Sequence, residues 1–213
     1  MSWVLLVVLL TLVLGLAIWS LNVGASRMNL LNALGADPDD RLSKILFASR
    51  LPRTLALMLA GAGLAVAGLI LQMMARNRLV EPSTVGTMEA AALGMLMLAW
   101  LVPGATLALR FAVVSLFALG GTLLFLAVLQ RIPLRSALIV PLVGLVLVGG
   151  VAAGSGLLAQ QLDLAQALRA WSSGDFSAVL RGRYELLWVA AGLTLAAMLA
   201  ADRFAVIGMG KDF

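Results

Sequence analysis

Polar positions are rare along this chain, and their placement divides it. Residues 1–26, 54–75, 90–109, 111–130, 136–162 and 186–201 contain no Asp, Glu, Lys or Arg. A helix rises about 1.5 Å per residue, so roughly 17–25 apolar residues cross the hydrocarbon layer. Five runs reach that length. The sixth is shorter, but Tyr184 and Glu185 before it and Asp202 after it suit interfaces. The pattern predicts an all-α, polytopic membrane fold of about six spanning helices, over 3–24, 54–75, 86–102, 107–129, 136–160 and 186–203. Soluble buried helices imitate one or two such runs, not six in succession. A signal peptide is the alternative for the first, but no Lys or Arg precedes its apolar stretch Trp3–Trp19, so it is retained as a helix.

Inside the second run, Gly61-Ala62-Gly63-Leu64-Ala65-Val66-Ala67-Gly68 superficially suggests a dinucleotide fingerprint. It lies mid-helix, with no strand before it and no acid at the usual distance after it. Small residues on a spanning helix let backbones approach closely. Gly120-Gly121, Gly149-Gly150, Gly154 and Gly156 read the same way. A substrate-lining surface or a hinge remains the alternative for these glycines.

The charges collect between the runs. Residues 27–53 hold Asp37, Asp39, Asp40, Arg41, Lys44, Arg50 and Arg53. Asp37-Pro38-Asp39-Asp40 can start a helix, since acids suit its N-terminus. Leu42, Ile45 and Leu46 then share a face, which predicts a helix on the membrane surface. Its charges read as a solvated face, or else Arg50 and Arg53, three apart, form a docking site for acidic groups. Residues 76–89 form a polar turn, through which Pro82 and Gly86 preclude a regular helix. Glu89 opens the third run and belongs either at the interface or in a polar cavity, because a charge at the bilayer centre costs about 2.5–3.5 kcal/mol. Arg131-Ile132-Pro133-Leu134-Arg135 is a tight basic turn. In 163–185 the aromatic residues Trp171, Phe176 and Tyr184 suit interfacial anchoring.

Composition narrows the function by exclusion. Apolar residues make up 62% and charged residues 12%, against roughly 45–50% and 25% in soluble chains, so the bilayer is the expected surrounding. Without cysteine or histidine there is no disulfide scaffold, Cys/His zinc site or histidine base. The net charge of +5 is scattered, which argues against nucleic acid. Gly208-Met209-Gly210-Lys211 lacks the spacing and the Ser or Thr of a phosphate-binding loop. The acids are too dispersed for a catalytic pair or a metal cage. No catalytic residue, cofactor or metal is expected.

Specific residues then point to a family. Arg50-Leu51-Pro52-Arg53-Thr54-Leu55 opens the second helix, followed by Gly61-Ala62 through Gly68, Gln72, Arg76-Asn77, Pro82 and Ala91-Ala92-Leu93-Gly94. This order resembles the FecCD family, the membrane permeases of ABC importers for iron–siderophore complexes, haem and cobalamin. Trp171, Gly174 and the segment through Leu186 resemble its periplasmic segment after the fifth helix. The likeness covers essentially the whole chain. Asn77 through Glu89 looks most like permeases for catecholate siderophores such as petrobactin or vibriobactin, although Thr87-Met88-Glu89 departs from the commoner turn.

The resemblance implies a single ten-helix permease domain, a multi-pass inner-membrane protein working as a homo- or heterodimer around a central pathway. ATP hydrolysis would belong to a separate ATPase subunit. A periplasmic binding protein would dock through acids on Arg50 and Arg53. Arg135 and Ser136 fall at the cytoplasmic gate turn, and Gly61, Gly68, Gln72 and Glu89 are candidates for the pathway lining. Family members continue into coupling helices and four more spans where this chain ends at Phe213. It is therefore expected to be truncated, or completed by another polypeptide, and unable to finish transport alone. With the N-terminus inside, six bases fall on inner segments and nine on outer ones, the reverse of the positive-inside tendency; outer docking arginines account for part of that excess. The alternatives are a secondary transporter or channel, for which only Glu89 supplies an intramembrane charge, and a non-transporting structural fragment.

Overall fold

The computed structural model describes residues 3–23, 35, 37, 40–132, 138–177, 179, 185–201 and 203. The helices are α1 (Trp3–Asn22), α2 (Arg41–Ile45), a π-helical turn (Leu46–Arg50), α3 (Leu51–Met74), α4 (Thr87–Leu101), α5 (Leu107–Leu129), α6 (Ile139–Gln161), α7 (Ala165–Ser172) and α8 (Glu185–Leu199). The chain divides into two compact units, residues 1–62 with 176–191, and residues 63–175 with 192–213.

In the first unit, α1 has no buried residue and a mean hydropathy of 2.8. A helix apolar on every side fits lipid rather than water. Its C-terminal carbonyls find specific donors. Val23 N–H returns to the Trp19 carbonyl at 3.1 Å, Asn22 Nδ2 donates to that of Ile18 at 3.0 Å, and Arg50 Nη1 to that of Leu21 at 2.8 Å. A guanidinium at a helix C-terminus also meets the negative end of the macrodipole.

Residues 41–74 run as one helical stretch, broken in register rather than in direction. Pro52 has no N–H and would press on the carbonyl four residues back. The ladder answers by widening over Leu46–Arg50, where Leu51 N–H bonds the Leu46 carbonyl, five residues back. This corrects the expectation of a separate surface helix. The apolar face exists, but Leu21 covers it: Leu46 is 2% exposed and packs with Leu21, Leu42 and Ile45.

The second unit is built on α4, α5, α6 and the segment before them. A Schellman motif ends α3: Arg76 N–H bonds the Met73 carbonyl at 3.2 Å and Asn77 N–H the Gln72 carbonyl at 3.0 Å, with Arg76 at φ 49°. The polar turn that follows does not lie outside the bundle. Val80 and Val85, each 1% exposed, join Leu71, Ala75, Phe125, Leu129 and Val140 in one core. Non-helical backbone at membrane depth must satisfy itself inside protein. Asn77 Oδ1 accepts the Leu79 N–H at 2.9 Å, and Thr84 Oγ1 accepts that of Glu81 at 3.0 Å.

Glycines set the depth at which α4 begins. A Cβ on Gly144 of α6 would run into the Thr84 carbonyl oxygen, and one on Gly121 of α5 would sit 2.5 Å from the Ala90 Cβ. Gly86, at φ 82°, caps the N-terminus of α4 and faces Val148. Gly121 lies about 12 Å before the end of α5 at 1.5 Å per residue, so α4 starts well inside the spans rather than at their end. Farther along, Gly94 admits Phe117, whose Cβ would be 2.7 Å from an added methyl. Between them the Thr87 and Thr122 hydroxyls meet at 2.8 Å, so α4 and α5 form a close antiparallel pair.

Close packing therefore holds at Gly121, and at Gly94 and Gly144, for which it was not predicted. It does not hold at Gly61, Gly120, Gly149, Gly150, Gly154 or Gly156, around whose Cβ positions the described structure is open. The six predicted runs all appear as helices. α1, the 41–74 stretch, α5 and α6 are long enough to cross a membrane, whereas α4 and residues 186–199 are shorter apolar helices. For α4 the reason is the turn, which takes up the depth that a longer helix would have filled.

Candidate functional site

Polar groups gather in two places, one in each unit. In the first unit, the π-helical turn and the first turn of α3 carry Arg50 and Arg53. Arg50 is 7% exposed and committed to α1, which corrects the reading of its charge as part of a solvated face. Arg53 is half-buried, and its Nη2 donates to the Ser177 carbonyl at 3.1 Å. Its Nε has no hydrogen-bond partner among the described residues. The Ser20 and Thr54 hydroxyls, 3.1 Å apart, fasten α1 to α3 beside the arginines.

In the second unit, a cavity of about 510 Å³ opens between α4, α5, α6 and α7. Glu89, in the first turn of α4, lines it with Met88 and Met95; Ser155 of α6 and Leu168 and Trp171 of α7 complete its character. Because α4 begins at depth, Glu89 lies within the bundle and not at the interface. Its Oε2 is buried and has no partner among the described residues, and neither has the buried Ser155 Oγ. Trp171 thus faces a cavity within the unit and is 38% exposed. α7 is set by a second Schellman motif, with Asp163 at φ 56°, Asp163 N–H on the Gln160 carbonyl at 3.3 Å and Leu164 N–H on that of Ala159 at 2.8 Å.

The remaining candidates lie apart from this cavity. Gly61, in the first unit, is exposed. Gly68 is buried, with its Cβ position 3.7 Å from Pro82 Cδ, and so packs on the turn. Gln72 is half-buried, and its backbone carbonyl belongs to the motif that ends α3. Neither Gly68 nor Gln72 lines the Glu89 cavity. Arg135 and Ser136, and Tyr184 beyond them, lie outside the described residues.

Sequence reasoning missed Ser155. A serine in a Gly- and Ala-rich helix carries no signal of its own, and only the packing of α4 and α7 around it reveals an orphaned hydroxyl. It also missed the Thr87–Thr122 link, since two threonines far apart in sequence become partners only once α4 and α5 are paired.

The comparisons with known proteins agree with one another. Residues 5–213 match the FecCD transport family. The petrobactin import system permease protein of Bacillus subtilis is 38% identical over 93% of this chain and 62% of its own length. The petrobactin import system permease protein of Bacillus anthracis is 41% identical over 79% of this chain and 51% of its own length. An inward-facing structure described as a metal-chelate type ABC transporter superposes with a TM-score of 0.71 at 26% identity, over 95% of this chain and 64% of the other. The chain thus spans between about half and two thirds of the length of these relatives.

Proposed function

The chain belongs to the FecCD transport family, and from that premise we propose that it is a permease subunit of an ABC importer for iron–siderophore complexes. The observation that carries this reading is the family match, which runs from residue 5 to residue 213. The apolar helices fit a multi-pass permease domain of the bacterial inner membrane, and ATP hydrolysis falls to a separate ATPase subunit. A ferric catecholate is the cargo, a reading supported by the petrobactin permeases among its relatives. A second permease subunit completes the pathway, to which Gly61, Gln72 and Glu89 contribute lining while Gly68 packs on Pro82 behind it, and Arg135 and Ser136 fall at its gate.

Arg50 and Arg53 form the docking point for a periplasmic binding protein, with unequal shares. Arg53 is only half-buried, whereas Arg50 is buried, so Arg53 is the one that meets the acidic residue. Arg50 holds the end of α1 in place beside it. The test is uptake of radioactive iron as ferric petrobactin by cells lacking the gene. Uptake is expected to be lost, to return with the wild-type chain, and to fall about tenfold with Arg53→Glu at equal membrane abundance. Undiminished uptake in the deletion strain would overturn the transport reading. Full restoration by Arg53→Glu would overturn only the docking assignment.

A further inference from the structure

The cavity beside Glu89 has a composition that selects its occupant. Ser155 is 4% exposed, and its hydroxyl makes neither the bond to the carbonyl four residues back that helical serines commonly form nor any other among the described residues. Glu89 lines the same space, and one of its carboxylate oxygens is buried without a partner among the described residues. Both groups accept hydrogen bonds, and a carboxylate at this depth calls for positive charge opposite it. About 510 Å³ is many times the roughly 30 Å³ share of one water and falls within the range of small-molecule pockets, so a bare ion would leave most of it unfilled. The rest of the wall is apolar or polarizable: Met88, Met95, Val114, Leu168 and Trp171. An indole attracts cations, and thioethers adapt to the shape of a small organic body.

We propose that this cavity binds an organic ammonium: a protonated amine that pairs with the Glu89 carboxylate beside Ser155 while its apolar body rests against Leu168 and Trp171. The inference goes beyond the transport reading and needs neither a binding protein nor an ATPase. The test uses the full chain in lipid nanodiscs, with n-butylammonium as probe and butan-1-ol as its uncharged counterpart, followed by ligand-observed NMR titration. The amine is expected to saturate the chain at concentrations about tenfold below the alcohol. Glu89→Gln should weaken the amine about tenfold and leave the alcohol unchanged. Equal binding of amine and alcohol, no saturable binding of the amine, or wild-type affinity in a folded Glu89→Gln chain would each overturn the proposal. So would displacement of the amine by potassium chloride as effective as by a second amine, which would mark an inorganic cation site. Should Glu89→Gln fail to fold, the comparison of amine with alcohol on the wild-type chain decides without it.

Discussion

Gly144 and Gly154 sit on the same helix, yet a single methyl group would act on them in opposite ways. At Gly144 the methyl meets the Thr84 carbonyl, backbone that cannot rotate aside, whereas at Gly154 it meets nothing described. Gly144→Ala is expected to cost about 2 kcal/mol or more by forcing the turn off α6. Gly154→Ala should be neutral or gain up to about 1 kcal/mol of helix propensity. Thermal unfolding in detergent should therefore fall for the first and hold or rise for the second. Two other residues are strained in the opposite sense. Arg76 and Asp163 occupy the left-handed position of their Schellman motifs, where a side chain costs about 1–2 kcal/mol. Replacing either by glycine should raise stability by up to about 1 kcal/mol, less the extra freedom glycine has when unfolded. Arg50 offers a further contrast. Arg50→Met leaves the Leu21 carbonyl without its donor and should destabilise by about 1–3 kcal/mol, and Arg50→Lys should recover part of that.

Helix positions were legible because charge is nearly absent from the spans. The predicted 107–129 is α5 itself, 3–24 overruns α1 by two residues, and 136–160 brackets α6 within a few. The relation of one helix to another was not legible. Thr84 meets Gly144, and Ala90 meets Gly121, only through tertiary packing, so the polar turn read simply as a break between two runs. The π-helical turn was equally hidden, although Pro52 was its signal: the proline marked a helix start, when the helix in fact continues on both sides of it. At the site, Glu89 was visible as a misplaced charge, whereas its cavity required α7 to be folded back over it. The α4–α5 pair itself can be tested, because the chain has no cysteine to remove. Oxidation should cross-link a Thr87→Cys, Thr122→Cys double variant, whose native hydroxyls are 2.8 Å apart. A Thr87→Cys, Gly156→Cys control should stay uncrosslinked.

Across the molecule, the tally of bases loses force once Arg50 and Arg53 are seen engaged with backbone carbonyls, since residues held by packing are poor guides to topology. Without them the two sides are nearly even, and orientation becomes a matter for labelling. With the N-terminus inside, a cysteine at Gly104, before α5, or at Ser173, after α7, should react with an impermeant maleimide added to intact cells. One at Arg131, after α5, should react only after lysis. The reverse pattern would invert the proposed orientation and remove Arg53 from the side on which a periplasmic partner could reach it.

The depth at which α4 begins has a consequence for how the protein is made. A nascent segment of α4's length, headed by Glu89 and preceded by the polar residues 76–84, is a poor candidate to leave a translocon for lipid by itself, with an acid that costs about 2.5–3.5 kcal/mol near the bilayer centre. The notches that receive it, at Gly121 and Gly144, are encoded downstream and emerge from the ribosome later. Residues 75–101 are therefore expected to settle into the membrane only after α5 and α6 have arrived. For this segment, insertion and folding are one event, governed by assembly rather than by the order of synthesis.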